Sequence, residues 1–391
     1  MMTERGRART GVAVYGANGY TGRLITRELL AMGHEVTVAG RSAEPLRSLA
    51  AECGGGVRRA VVTLDDHAGL LALAASVRTV VNAAGPFSRT CAPVARAAVA
   101  AGAHYVDISG EQHAIRALFE NHGPDAIANG VALLPASAYY ATLCDLLVGL
   151  TAGESGPIDD LDIAYHVRGW VPSGAAFVNR LEGIGQPMIQ YDNGFVDVVR
   201  PPATRTVSFG PQVRPRRVTM YPAPEVLTIP RHLDVARIRT SMTTSTLIRK
   251  PLGRLVPYIS AVAAAMRGTP AAGPAERLLA LGATGSSIRV HDDPSSFDLV
   301  AVLHGRDGTR TATLSGPGIF DITGPIAARI AARTLAADFD LSGPLAASEV
   351  LDPREFLDGL RDRGVTYRIS PGTDGVGDGS VGRSAAAPAN P

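Results

Sequence analysis

The sequence is almost without lysine: of its 38 basic residues only Lys250 is not arginine. A phosphate loop of the Gly-Lys-Ser/Thr kind needs a lysine followed by a hydroxyl residue, and Lys250 is followed by Pro251. Imine-forming chemistry needs a lysine amine in a site, and Lys250 stands among prolines and arginines with no site around it. A Tyr-x-x-x-Lys pair is also missing. Cysteine is scarce. Cys53, Cys91 and Cys144 stand singly, with no Cys-x-x-Cys, His-Glu-x-x-His or Cys/His cluster, so no metal is expected. Such sparse, odd-numbered cysteines suit a reducing compartment, and a cytoplasmic location is expected. No apolar run reaches 18 residues, so no membrane span is expected. Met1–Thr10 carries arginines without an apolar stretch and does not read as a secretory leader. Net charge is +2 with no basic arm, which disfavours nucleic acid as a partner. No Gly-x-Ser-x-Gly elbow supports serine-hydrolase chemistry.

What is present is a chain of 391 residues, 46% hydrophobic with 43 glycines, enough for two domains with large cores. Short apolar runs alternate with helical patterns through the first third. Strands are predicted at Gly11–Tyr15, Glu35–Ala39, Val61–Leu64, Thr79–Ala83, Tyr105–Ile108 and Val131–Leu134. Helices are predicted at Arg23–Met32, Glu44–Cys53, Cys91–Ala101 and His113–Asn121. This alternation predicts a parallel, doubly wound α/β sheet. From about Thr151 the texture shifts to strand-like runs among prolines and glycines: Leu161–His166, Arg205–Phe209, Arg217–Tyr221, Ile238–Thr243, Phe297–His304 and Arg310–Gly316. The last two are joined by the turn Arg306-Asp307-Gly308, and the whole reads as an α+β domain with a largely antiparallel sheet. Helices at Gly324–Leu335, Gly343–Val350 and Pro353–Arg363 are expected to return to the first domain. The expected division is 1–148, 149–320, 321–370 and a disordered Gly/Ser/Ala/Pro-rich tail over 371–391.

Gly16-Ala17-Asn18-Gly19-Tyr20-Thr21-Gly22 follows the first strand directly and opens a helix. Three glycines at this spacing are a weak signal alone, but the strand before and helix after make it a dinucleotide-binding turn. Gly16 permits the tight turn, Gly19 lets the backbone approach a pyrophosphate, and Gly22 lets the helix pack close to the strand. The helix N-terminus offers free N–H groups to the phosphates. The second strand ends in Ala39-Gly40-Arg41-Ser42, where an NAD enzyme would carry a carboxylate for the ribose hydroxyls. Arg41 and Ser42 instead suit a 2′-phosphate, so NADPH is the expected cofactor. Asp65 or Asp66, after strand three, either borders the adenine or caps the next helix. Asn82, Ala84, Gly85, Pro86 and Phe87, after strand four, are placed along the nicotinamide end, with Phe87 as an apolar wall. Asp107 and Glu111, after strand five, read either as substrate lining or as helix caps.

These residues resemble the saccharopine-dehydrogenase-like NADP-binding oxidoreductases, including bacterial trans-acting enoyl reductases. The carriers are the Gly16–Gly22 loop, Ala39-Gly-Arg41, Ala84-Gly-Pro-Phe87 and Tyr105-Val-Asp-Ile-Ser-Gly-Glu111. The likeness extends more loosely through Tyr221-Pro-Ala-Pro-Glu225, Pro230-Arg-His232 and the stretch 316–365. It implies a Rossmann-type domain with an inserted α+β substrate or dimerisation domain, NADPH as hydride donor, and a homodimer. Relatives tend to carry Gly-Phe-Asp-Ser and then Pro-Ser-Asp after strand six. Here the chain reads Pro135-Ala-Ser-Ala-Tyr139-Tyr140-Ala-Thr-Leu-Cys144-Asp145, so only Asp145, assigned to substrate, keeps the pattern.

Reduction of C=C, C=N or C=O needs a proton donor near the acceptor. Tyr139 and Tyr140 are the first candidates and His232 the next, each with an alternative reading as a packing residue. His166 reads as a core or edge histidine. Leu255–Met266, flanked by basic residues, reads as a lid over an acyl chain, a membrane-surface helix or a plain interface helix. The expected activity is NADPH-dependent reduction of an enoyl-type bond in a lipid or polyketide-like substrate, with a carrier protein or synthase as a possible partner. Imine or carbonyl reduction, with Arg168, Arg180, Arg231 or Arg239 clamping carboxylates, and a non-catalytic NADP sensor are the alternatives.

Overall fold

The computed structural model describes residues 9–153, 156–170, 187–198, 204–211, 213–247 and 293–371. The first domain runs β1 (Val12–Tyr15), α1 (Tyr20–Ala31), β2 (Val36–Gly40), α2 (Ala43–Glu52), β3 (Arg58–Val61), α3 (His67–Ala75), β4 (Thr79–Asn82), α4 (Phe87–Ala101), β5 (His104–Asp107), α5 (Gln112–Ala128), β6 (Ala132–Leu134) and α6 (Tyr139–Ala152). Strands β1, β2, β4, β5 and β6 are buried along their length because helices cover both faces of the sheet. Helix α1 shows the usual one-sided spacing, burying Gly22, Ile25, Thr26 and Leu29.

The second domain contributes β7 (Ile158–Arg168), β8 (Met188–Asp192), β9 (Phe195–Val198), β10 (Thr204–Val207), β11 (Arg216–Met220), β12 (Val235–Thr243), β13 (Ser296–Gly305) and β14 (Gly308–Pro317). Then α7 (Ile319–Arg333) returns to pack on α1, so closely that a Cβ at Gly324 would lie 2.6 Å from the Leu24 Cβ. A strand β15 (Gly343–Pro344) follows, and β16 (Thr366–Pro371) closes the described chain.

The first sheet has the order β15-β6-β5-β4-β1-β2-β3, all parallel. The strand order reverses between β1 and β4, so their carboxyl ends open a crevice at this switch point. The second sheet has the order β10-β11-β12-β7-β13-β14-β16, with β8 and β9 attached to β12. Its pairs are antiparallel except β7–β12. The Rossmann-type α/β reading with an added α+β unit is borne out. Helix α6 lies between the sheets, touching β13 and β14 on one side and α7 on another, and is buried almost all round.

Four sequence expectations are corrected. Strand three is Arg58–Val61, shifted toward the chain start, because it is the exposed edge strand and its Arg-Arg-Ala-Val composition hides its pairing with β2. The stretch 343–350 is not one helix. Gly343-Pro344 pairs with β6 as the seventh parallel strand, and only Ala347–Val350 is helical. Helix α5 runs on through Gly123-Pro124 to Ala128. Residues 366–371 pair with β14 in the second sheet instead of ending the helical return. The apolar segment Leu255–Met266, Arg180, Lys250 and residues 372–391 lie outside the described residues.

Candidate functional site

The glycine loop sits over the crevice between β1 and β4. Gly16 has φ +81°, and a Cβ there would come within 2.8 Å of the Ala84 backbone nitrogen. A Cβ on Gly22 would stand 2.3 Å from the Gly16 carbonyl oxygen, so only glycine lets α1 start this close to β1. Gly19 is the N-cap of α1 and Asn18 and Gly19 are exposed. The amides of Gly16 and Ala17 are already bonded to the Ala39 carbonyl, at 2.8 and 3.2 Å. The first-turn amides of α1 are the ones that a helix N-terminus leaves for an anion. This tight turn and the open helix start fit a dinucleotide pyrophosphate.

Gly40 ends β2 where a Cβ would lie 3.2 Å from Asn18 Oδ1. Arg41 and Ser42 follow, both exposed. Many of the chain's arginines are committed to ion pairs, as Arg23 is to Glu52 at 2.7 Å and Arg363 to Glu28 at 2.8 Å. Arg41 forms no ion pair among the described residues. Burial raises the Tyr15 phenol, while the charge of Arg41 lowers it and that of Asp65 raises it. Asp65 is exposed there, and Asp66 caps α3 by accepting from Gly69 N at 2.8 Å.

Three assigned cofactor residues have other duties. Asn82 is fully buried and binds the Thr90 and Tyr105 hydroxyls, while its Oδ1 takes the Ala84 amide at 3.1 Å. It shapes the 83–87 loop from below. Tyr20 turns toward α7, donating to Asp321 at 2.8 Å and lying edge-on to Phe320. The Ala17 side chain is buried, so only its backbone borders the loop. Ala84, Gly85 and Pro86 are half-buried at the end of β4, Phe87 opens α4 as a buried residue, and Thr21 is half-buried in the first turn of α1.

Asp107 is corrected outright. It is fully buried, and its carboxylate accepts from Ser109 N, Ser109 Oγ, Ala136 N and the Tyr105 hydroxyl, with the Cys91 thiol at 3.3 Å. It ties the ends of β5 and β6 to α4 and holds Ala136 at a φ of +56°. It neither lines a substrate pocket nor caps a helix. Asp145 is corrected too: it is 1% exposed, with one oxygen 2.8 Å from His232 Nε2 and the other accepting the Ser348 amide. His232 is thereby fixed between α6 and the Ala347–Val350 turn. Burial lowers the imidazole, but the Asp145 hydrogen bond and charge outweigh it and raise it overall. This pair joins three segments and acts as a positioning contact.

Glu111 is the half-buried N-cap residue of α5, beside Tyr140, whose hydroxyl presses on Gly110. Tyr139 and Tyr140 open α6 with their rings edge-on at 4.8 Å, and Tyr139 leans on Phe297 of the second domain at 5.1 Å. Burial holds both phenols well above the usual tyrosine range, so they are neutral hydroxyl groups at any ordinary pH. Sequence reasoning missed the groups behind them. Tyr165 of β7 donates a short hydrogen bond to Glu225, which is fully buried. Gln112 clamps the domains together by bonding the Ile189 and Ala223 carbonyls. Glu225 lay within the quoted Tyr221–Glu225 stretch, the one signal that could have found it.

Comparison with known proteins agrees with this geometry. Residues 12–128 match the family model described as the saccharopine dehydrogenase NADP binding domain. A lipid droplet localized protein of Caenorhabditis elegans is 33% identical over 186 residues, covering 44% of this chain and 42% of that protein. A trans-acting enoyl reductase of Mycobacterium leprae is 28% identical over 177 residues, 42% of each chain. The apo saccharopine dehydrogenase (L-Glu forming) of Saccharomyces cerevisiae shares the fold with a TM-score of 0.60 at 13% identity, over 93% of this chain and 100% of that one. These alignments span less than half the length of the curated relatives. The resemblance read from the motifs is borne out: the N-terminal part matches an NADP binding domain of saccharopine dehydrogenase type. No helix among the described residues is long and apolar enough to cross a membrane.

Proposed function

We propose that the protein is an NADPH-dependent reductase acting on an activated, enoyl-type C=C bond of a lipid or polyketide-like substrate. The observation that carries the cofactor choice is Arg41, exposed and without an ion pair among the described residues, just past β2 and after a glycine where a carboxylate would repel a 2′-phosphate. When bound, NADPH supplies the hydride. The residues of this chain supply the rest. Gly16, Gly19 and Gly22 let the backbone and the α1 N-terminus meet the pyrophosphate. Ala84, Gly85 and Pro86 form the small-residue wall past β4. Tyr139 and Tyr140 offer neutral hydroxyls that can donate a proton to the developing anion.

The arginines favour an acyl substrate over an amino-acid imine. Arg168 pairs with Asp298, Arg231 with Glu349, and Arg239 with Asp160 and Asp162, so those described candidates are engaged within the fold. The trans-acting enoyl reductases among the relatives support an enoyl group delivered by a synthase or carrier protein, and a homodimer in the cytoplasm completes the reading. The test is a fluorescence titration of the purified protein with NADPH and NADH, followed by NADPH oxidation with enoyl, imine and carbonyl probes. Preference for NADPH with oxidation by an enoyl thioester is expected. Tight NADPH binding without turnover on any probe class would mark a cofactor sensor instead.

A further inference from the structure

A polar side-chain atom without a partner is costly where it is buried and available to a ligand where it is exposed. Glu225 Oε2 is of the first kind, buried with no hydrogen-bond partner among the described residues. The Asn18 carboxamide is of the second kind. It is exposed in the glycine loop, and its side chain makes no hydrogen bond among the described residues. The usual reasons for an asparagine in a turn are missing. The N-cap of α1 is Gly19, and no side chain caps that helix. Outside glycine, positive φ occurs among the described residues at Ala136 and Asn193, so Asn18 does not have the left-handed backbone that favours asparagine. Its backbone is nonetheless held in place. The Asn18 carbonyl accepts from Arg23 Nε at 3.2 Å, and Arg23 is locked to Glu52 at 2.7 Å.

Gly40 is a glycine for reasons of space. It is a strand residue paired with Val61, and its φ is not positive, so its conformation suits any residue. A Cβ there would lie 3.2 Å from Asn18 Oδ1, 3.9 Å from Leu46 Cδ2 and 4.0 Å from Gly16 N. The nearest of these atoms belongs to the carboxamide, so a side chain at position 40 starts in contact with Asn18. In dinucleotide folds the end of the second strand is where a carboxylate binds the ribose hydroxyls. Here Asn18 and Gly40 share that place. Arg41 and Ser42 come next, Arg41 without an ion pair and Ser42 without a capping bond to α2.

We propose that Asn18 is a second determinant of cofactor choice: its carboxamide keeps a ribose-binding carboxylate out of position 40 and donates from Nδ2 to the 2′-phosphate that Arg41 pairs with. The inference rests on the NADPH reading and adds to it a selector on the glycine loop. A carboxamide is neutral and carries two N–H donors, so it meets a phosphate without repulsion. A carboxylate of the same shape does the reverse, accepting from free hydroxyls and repelling the phosphate.

The test is calorimetric titration of the full chain with NADPH, NADH and adenosine 2′,5′-bisphosphate, the last because it carries the phosphate end alone. In Asn18→Ala the Kd for NADPH and for the bisphosphate should rise about 10-fold, the loss of one charge-assisted bond at an exposed rim. The Kd for NADH should move by less than about threefold. Asn18→Asp, of equal size, adds repulsion and should weaken NADPH on the order of 100-fold. Gly40→Asp alone should not tighten NADH, whereas Gly40→Asp with Asn18→Ala should tighten it about 10-fold over the single variant, because the carboxylate then has room. The Asn18 variants break no side-chain hydrogen bond of the fold and should melt with the wild type. They decide the case even where Gly40→Asp lowers the melting temperature. NADPH preference kept in both Asn18 variants but lost in Arg41→Asp overturns the proposal and leaves the cofactor reading standing. Equal weakening of NADPH and NADH in the Asn18 variants also overturns it. A wild type that binds NADH as tightly as NADPH overturns the cofactor reading, and the proposal with it.

Discussion

Replacing Arg41 with aspartate tests its proposed role in cofactor choice. Arg41 is exposed and forms no ion pair among the described residues, so its removal breaks no such pair. A charge-assisted bond to phosphate contributes about 1.5–3 kcal/mol. Exposure and salt hold an arginine on this rim to the lower end, about a tenfold change in Kd. Aspartate adds repulsion of similar size toward a 2′-phosphate while accepting bonds from free ribose hydroxyls. The Kd for NADPH should therefore rise on the order of 100-fold in Arg41→Asp, and that for NADH should move by less than about threefold. Titration of both cofactors by fluorescence or calorimetry reads this directly. Raising salt from 0.1 M to 1 M shortens the screening length from about 10 Å to about 3 Å, so the wild-type preference should shrink. Equal losses for both cofactors in Arg41→Asp, or a preference indifferent to salt, would refute the assignment.

Gly22→Ala makes a contrasting case. Its Cβ would lie 2.3 Å from the Gly16 carbonyl, so α1 must move off β1 and both cofactors should weaken alike in the same titration. Asp107→Ala strands two backbone amides and a buried phenol, at about 1–3 kcal/mol each, and should lower the melting temperature by roughly 10 °C on a calorimetric scan. Glu225 and His232 both have folded pKa values above their ordinary ones, so each contributes stability at low pH that is lost as pH rises. For Glu225 the loss runs from about pH 4.5 through 7 and is on the order of 3 kcal/mol. The wild-type melting temperature should fall across that range and Glu225→Gln should flatten the fall. An unchanged slope in the variant would contradict the buried-acid account.

The strand, glycine turn and helix were legible in the sequence because the constraints on them are local. Strand, glycine turn, helix and the Gly40-Arg41 step are consecutive, and the constraints that make Gly16 and Gly22 glycine act over a few residues. Periodicity of buried positions also revealed the parallel sheet, whose inner strands have one environment on both faces. Edge elements were read poorly. Strand β3 exposes arginines, and β15 is a two-residue Gly-Pro strand that no periodicity can announce. The reading of Asp107 as a substrate residue erred because a carboxylate at a strand end looks the same whether it faces a crevice or gathers five donors beneath it.

By itself the sequence determined that a glycine turn leads into a doubly wound sheet, with an arginine directly after the second strand. Those statements follow from residue types and short spacings, which survive without knowledge of packing. Only the tertiary structure decided what the polar residues between the domains do. Glu225 and Tyr165 are 60 positions apart, His232 and Asp145 are 87 apart, and Ser348 is 203 from Asp145. Which of them is paired and which keeps an orphaned oxygen depends on how α6 is wedged between two sheets. Burial and hydrogen bonding are properties of the assembled chain, and no spacing along the sequence encodes them.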